Sequence, residues 1–389
     1  MANPVTTFES NGGTAYTTLA EEATFVTALV AANPSAITKT VLPNSYGGRA
    51  MYTLTFGTPS TTRRPLVLIA SVHGNETMPR EAALQLCRWL VETTDAAVLA
   101  LLAQRQVIVV PTGNPDGHVA GTVGALGPLG ARNNDANQDI NRHYLDRVSN
   151  APESAALGDI LLANLPLAVL DCHEWMGAPG GDCFVGAFTL PGSDVALRQL
   201  AFVVGETMKV PVKAATPTPT CYWYKQETPV NSVQHLASTL GAVYTLFETA
   251  NPTETIPAYG SRTPVQRANY QLIAMKAWLG YYATGTNAAD AQLLGERVRN
   301  RYATRLARGE TAWYVDHNSF ERYTVLGYQL SAGDWTTAQP VLAAHGVTYD
   351  ATARKVWLDQ PKAYIAVALL DPSAASKVVS GASRLVTFP

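Results

Sequence analysis

Pro65-Leu66-Val67-Leu68-Ile69-Ala70-Ser71-Val72-His73-Gly74-Asn75-Glu76 is an apolar run that ends on a histidine and a carboxylate. Three other stretches repeat the arrangement. Val107-Ile108-Val109-Val110-Pro111 leads to Asn114-Pro115-Asp116-Gly117. Leu167-Ala168-Val169-Leu170-Asp171-Cys172 leads to His173-Glu174, and Ala242-Val243-Tyr244-Thr245-Leu246-Phe247 leads to Glu248. Short runs rich in β-branched residues read as buried strands of a largely parallel sheet. In such sheets ligands bind in the crevice beyond the carboxyl ends of the strands. The four run ends are therefore expected to meet in one pocket that holds two histidines and at least two carboxylates.

Outward from these runs, amphipathic stretches predict helices at 15–33, 78–92, 96–104, 153–164, 194–206 and 263–283, with a further strand at 50–56. In 78–92, Ala83, Leu86, Cys87 and Leu90 form an apolar stripe, and Pro79 falls in the first turn, where a missing N–H costs little. Residues 121–138 are Gly- and Asn-rich, and a loop that long inside a compact domain is usually functional. The expected fold is α/β, a mixed, mostly parallel central sheet with helices on both faces. Beyond Gly285 the texture changes to a charged helix at 288–308, short elements at 311–316 and 322–330, a helix at 335–345, a strand at 354–358 and a helix at 360–370. This predicts a catalytic domain over 1–284 and a small α+β accessory region over 285–389 that serves packing or interaction.

The 389 residues are 15% charged with a formal net charge of −2. That balance is globular and carries no electrostatic footprint for nucleic acid. No uninterrupted apolar run approaches the ~18 residues of a membrane span. Residues 1–20 lack a basic segment followed by an apolar one, so no secretory signal is read. The expectation is a cytoplasmic enzyme, or one released by lysis or carried on a particle. Cys87, Cys172, Cys183 and Cys221 show no CxxC spacing, which disfavours a thiolate zinc site. A short loop separates Cys172 from Cys183, so a disulfide between them is an open alternative.

His73-x-x-Glu76 with His173, about a hundred positions further on, supplies two imidazoles and a carboxylate. Three N and O ligands suit a catalytic zinc ion with an open position for water, whose pKa falls toward ~7 on binding. The spacing is not HExxH. Here both ligands lie on a strand-to-helix loop, where Gly74 permits an unusual turn. The competing reading of each histidine is an ordinary hydrogen-bonded strand end.

The ordered set HGNE (73–76), NPDG (114–117), Ala131-Arg132-Asn133, Asp139-Ile140-Asn141-Arg142-His143-Tyr144, Asp171-Cys172-His173 and Thr245-Leu246-Phe247-Glu248 resembles the zinc carboxypeptidase family. The resemblance runs over roughly residues 15–283. It implies one zinc ion held by His73, Glu76 and His173. Glu248 matches the general base that activates water and passes the proton to the leaving amine. Arg132 matches the arginine that stabilises the oxyanion, and Asn141 with Arg142 matches the pair that grips the substrate's terminal carboxylate. Asp139 matches a carboxylate that orients His73, and Tyr224 matches a mobile tyrosine upstream of the base.

Each role has a plainer counterpart. Arg132 would be a solvated loop residue, Asn141-Arg142 a turn cap, and Glu248 the partner of Arg262 or Arg267 in a core salt bridge. Strand alternation turns Glu174 away from the metal.

The leading expectation is a zinc-dependent hydrolase that removes a C-terminal residue from peptides, cell-wall peptides among them. HGNE also resembles related zinc deacylases, so an N-acyl amino acid deacylase is the alternative. A non-catalytic binding module is the third reading. The expected partner is thus a peptide or N-acyl amino acid substrate, with no nucleic acid and no membrane.

Overall fold

The computed structural model describes residues 2–119, 130–175, 183–186, 195–216, 221–223, 231–250, 262–307, 324–358, 360, 362–371, 377–379 and 381–387. In chain order the helices are α1 (Thr7–Ser10), α2 (Leu19–Ala32), α3 (Met78–Glu92), α4 (Ala96–Leu102), α5 (Pro115–Val119), α6 (Pro152–Asn164), α7 (Val195–Ala215), α8 (Val233–Thr239), α9 (Pro264–Ala283), α10 (Asn287–Ala307), α11 (Ala332–Ala344) and α12 (Ala363–Leu370). The strands are β1 (Ile37–Leu42), β2 (Met51–Phe56), β3 (Leu66–Ala70), β4 (Val107–Val110), β5 (Ala168–Trp175), β6 (Cys183–Gly186), β7 (Cys221–Trp223), β8 (Val243–Ala250), β9 (Thr324–Gln329), β10 (Lys355–Trp357) and β11 (Ser383–Thr387).

Among the described residues, eight strands form one sheet in the order β1-β2-β4-β3-β5-β8-β6-β7. Its centre, β4-β3-β5-β8, is parallel. The two antiparallel neighbours β2 and β6 flank that centre. The expected mixed α/β fold is what is found. Every residue of β3, β4 and β8 is buried, which explains why these strands read as unbroken apolar runs. Alternate residues feed opposite layers. Leu66, Leu68 and Ala70 join a core with residues of α2, α3, α7 and α9. Val67 and Ile69 join the other layer, with α6 and α8.

Some boundaries differ from expectation for local reasons. The first long helix starts at Leu19, not 15, because Thr18 accepts from the Glu21 amide while the Glu21 carboxylate accepts from Thr18. Helix α7 runs to Ala215, past the expected end at 206. Cys172 and Cys183 are not joined in a disulfide, and Cys87 takes part in none. Strand β8 lies between β5 and β6, so Cys172 faces Phe247 in the register while Cys183 faces Thr249. The short element read at 311–316 lies outside the described residues. No described helix is long and apolar enough to cross a membrane.

The C-terminal region builds a second, three-stranded antiparallel sheet, β10-β9-β11. Its Tyr328, Trp335, Ile365 and Leu369 belong to the same buried cluster as Leu157 of α6 and Leu236 of α8. His345, which caps α11, donates from Nε2 to the Leu145 carbonyl at 3.0 Å. Among the described residues its Nδ1 is buried without a hydrogen-bond partner, as is Nε2 of His235 on α8.

Burial pushes both imidazoles down to about 4. In the unfolded chain they titrate near 6.5, so between pH 6.5 and 4 the unfolded state binds more protons. Stability is therefore fully present above pH 6.5 and falls as the pH drops through that window, by on the order of 3 kcal/mol per histidine. Urea midpoints from pH 7 to pH 4 measure this. His345→Gln, which keeps a donor for Leu145, is expected to flatten part of the slope.

A candidate metal centre at the carboxyl ends of the central strands

The HGNE turn is shaped by its neighbours. Ser71 takes a left-handed φ of 51° directly after β3, and its Oγ donates to the Glu76 carbonyl at 2.7 Å. Gly74 lies so close to the Gly117–His118 backbone that no Cβ fits there. The chain therefore folds back on itself before α3 and turns His73 and Glu76 inward. The Glu76 carboxylate reaches both imidazoles, with Oε1 2.7 Å from His73 Nδ1 and Oε2 2.8 Å from His173 Nδ1. The two Nδ1 atoms stand 3.2 Å apart. All three ligand atoms of this buried trio fall within 4.8 Å of one another.

The far nitrogen of each ring faces another carboxylate. His73 Nε2 is 3.2 Å from Asp139 Oδ1, and His173 Nε2 is 2.9 Å from Asp171 Oδ1. The Tyr244 hydroxyl donates to the other Asp171 oxygen at 2.7 Å. The Asp139 hydrogen bond holds the His73 proton on the outer nitrogen, the Asp171 charge 2.9 Å from His173 Nε2 favours the same placement there, and each inner lone pair is left for a cation. Two imidazoles ringed by Glu76, Asp139 and Asp171 thus form a donor set that fits a divalent ion. Burial raises the Glu76 and Asp139 carboxyls, but the adjacent imidazoles more than offset it, and both are held well below the usual carboxylate range. Burial lowers His173, yet Asp171 and Glu76 carry it well above the ordinary histidine value.

Asp171 was not among the residues singled out from sequence. The available signal is alternation: Asp171 and His173 stand two apart on β5 and share a face. Asp171→Asn is expected to weaken zinc binding about 10- to 100-fold, measured by competition with a chromogenic chelator.

Glu248 lies directly opposite His173 in the β5–β8 register. Burial, partly countered by His173, pushes its carboxyl up to about 7. Its Oε2 finds no hydrogen-bond partner among the described residues. The core salt bridge is made elsewhere, because Arg267 pairs with Glu174. Glu174 is thereby turned from the ligand atoms, as alternation requires, and also accepts from the Met78 amide at 3.0 Å.

Arg132 donates from Nε and a terminal nitrogen to Asp139 Oδ2 at 3.1 and 2.9 Å, and comes within 3.6 Å of Glu76. Its side chain is 39% exposed, so the guanidinium borders the pocket. Asn141 and Arg142 occupy a single 3-10 turn after Asp139, whose carboxylate accepts from the Asn141 amide at 3.0 Å. The Asn141 side-chain oxygen accepts from the Val233 amide at 2.9 Å, which leaves its NH2 to donate. Arg142 is 37% exposed. Tyr224 lies outside the described residues. His118 is buried and His143 pairs with Asp146 at 3.1 Å, so neither joins the ligand trio.

Comparison with known proteins adds an independent observation: the profile of the zinc carboxypeptidase family matches residues 23–158. Over those residues, about a third of its length, the chain is similar to the zinc carboxypeptidase family. The chain is 35% identical to the carboxypeptidase N catalytic chain of Rattus norvegicus over 112 residues, 26% of this chain and 24% of that one. It is 34% identical to carboxypeptidase D of Anas platyrhynchos over 94 residues, 23% of this chain and 7% of that one. The match thus spans a quarter or less of these relatives.

Among solved structures, a metallo-carboxypeptidase from Burkholderia cenocepacia superposes with a TM-score of 0.54 at 20% identity, covering 68% of each chain. A carboxypeptidase A from Helicoverpa armigera gives 0.55 at 16% identity, covering 71% of this chain and 74% of that one. The likeness to these carboxypeptidases at such identities is one of fold. Zinc is the family's metal, and the buried His-Glu-His trio is a group able to hold it.

Proposed function

We propose that the protein is a zinc-dependent hydrolase that removes the C-terminal residue from peptides. One observation carries the reading. A buried carboxyl, Glu248, stands opposite His173 of a three-ligand cluster, and the Arg132 guanidinium comes within 3.6 Å of the cluster's Glu76. Zinc held by His73, Glu76 and His173 would supply a Lewis acid and a water acidified toward pKa ~7.

The remaining chemistry belongs to the chain. Glu248 takes a proton from the attacking water and hands it to the leaving amine, a task suited to a carboxyl whose pKa lies near the operating pH. Arg132 donates to the oxygen on which negative charge develops. Arg142 holds the terminal carboxylate through its planar guanidinium, with the Asn141 NH2 beside it. Tyr224 is proposed to close over the substrate. The HGNE turn favours a second reading, hydrolysis of N-acyl amino acids, which offer the same free carboxylate. A purely binding role fits less well, because base, ligands and arginines are all retained.

The test incubates zinc-loaded protein with a peptide library that includes cell-wall peptides, and with N-acetylated amino acids. Mass spectrometry reads the products with and without a chelator. Chelator-sensitive loss of single C-terminal residues is the expected outcome. Release of acetate alone points to the deacylase, and no chelator-sensitive product from either set rules out both.

A further inference from the structure

The motif Asn114-Pro115-Asp116-Gly117, which follows β4 and opens α5, has no part in the chemistry above. Its surroundings give it one. Asn114 is wholly buried, and its hydrogen bonds tie its own turn to two other loops. Its Nδ2 donates to the Arg132 carbonyl at 3.1 Å, and its Oδ1 accepts from the Gly117 amide at 2.9 Å. Its backbone N–H donates to the Ser71 carbonyl at 2.9 Å, at the start of the turn that bears His73 and Glu76. Gly117 in turn accepts from the Ala131 amide at 2.7 Å, and the Gly74 amide donates to the Arg132 carbonyl at 3.4 Å. The peptide units on either side of Arg132 are therefore held by α5 and by the HGNE turn.

No helix or strand includes residues 131–139, so no periodic bonding fixes that segment. Further along it, the Asn134 side chain donates to Glu153 at 3.0 Å. Arg49 joins Asp135 at 2.6 Å to the wholly buried Asp116 at 2.8 Å. A half-exposed guanidinium on a four-bond stem gains a defined place only if its backbone is fixed.

We propose that Asn114 is a positioning residue for Arg132, setting where that guanidinium stands over the metal trio. The side chain must donate to a carbonyl and accept from an amide at once, which asparagine does and an ionised aspartate cannot. The kinetic part of the proposal rests on the hydrolase reading above. A displacement of about 1 Å in such a group costs about 10²-fold in rate.

The experiment compares zinc-loaded wild type, Asn114→Asp, Gly117→Ala and Arg132→Ala, and each of the first two substitutions combined with Arg132→Ala. Crystal structures, kcat, KM and zinc content are measured for each. Helix α5 itself tolerates alanine at Gly117, and circular dichroism with a thermal melt checks that the variant folds. An added Cβ would stand 2.5 Å from the Ala131 carbonyl, 2.7 Å from that of Asn133 and 2.9 Å from Asn114 Nδ2, so it displaces both the segment and the Asn114 amide that holds it. Should Asn114→Asp not fold, Gly117→Ala carries the same test.

The expected result is a kcat about 10²-fold lower with KM and zinc content unchanged, and no further loss when Arg132→Ala is added. In the variant crystals Arg132 leaves Asp139. Losses that multiply with that of Arg132→Ala, or an Arg132–Asp139 contact that stays at 2.9–3.1 Å, overturn the proposal. If wild type shows no chelator-sensitive hydrolysis, the reaction assignment fails by itself. The crystal comparison then still decides the positioning role.

Discussion

Glu248→Gln is expected to lose about 10²- to 10⁴-fold in kcat, roughly 3–5 kcal/mol of transition-state stabilisation, while zinc remains bound. The amide matches the carboxyl in shape but cannot accept the proton. Because Glu248 is not among the three ligand donors, its replacement leaves their geometry alone. The same change is expected to raise stability. Burial pushes this carboxyl up to about 7, above the ordinary glutamate value of 4.5, so the native state resists ionising it as the pH rises. Near pH 7 the metal-free protein carries a cost of up to about 3 kcal/mol that glutamine removes. Activity and thermal stability therefore move in opposite directions, the pattern of a side chain kept for chemistry. Steady-state kinetics, zinc analysis and calorimetry of the apo form check the three parts. An active Glu248→Gln enzyme would remove the base from the mechanism.

His173→Ala is expected to abolish both zinc binding and hydrolysis. Deleting one of three donors leaves His73 and Glu76, too few to compete with water or buffer for the ion. Wild-type protein should gain thermal stability as free zinc rises, following the mass-action law for a ligand that binds only the native state. The variant's melting temperature should not respond to zinc or to a chelator. Metal analysis after gel filtration gives a second readout. Stoichiometric zinc in His173→Ala would show that these residues do not form the metal site, and most of the account above would go with it.

The centre of this fold is legible in the chain because buried parallel strands advertise themselves. Strands β3, β4, β5 and β8 have no solvent face to demand polar alternation, so each appears as an apolar run with a chemical residue at its end. The adjacency of β5 and β8 is what brings His173 opposite Glu248.

The margins of the sheet leave a fainter trace. Strand β1, Ile-Thr-Lys-Thr-Val-Leu, is mostly exposed and carries a lysine, so its pattern resembles a loop. Strands β6 and β7 span only four and three residues, and the turn-length α8 only seven. Asp171 was hidden for another reason: it sits inside an apolar run and reads as an interruption until the strand's pleat is traced. Asn114 carried no sign of its bond to Arg132, since a contact between a turn and a loop eighteen positions away follows from packing alone.

The compositional change at Gly285 marks no gap in the interior. Tyr328, Trp335, Ile365 and Leu369 lie in one buried cluster with side chains of α6 and α8, and the amide of Val233, at the start of α8, holds Asn141. A chain cut at 284 would thus present a wide greasy surface to water and would be expected to clump rather than stay dispersed. Any fragment that did survive would lack the packing behind α8 and the turn of Asn141 and Arg142, and if that turn grips the substrate carboxylate as proposed, weaker hold on short substrates would be the first symptom.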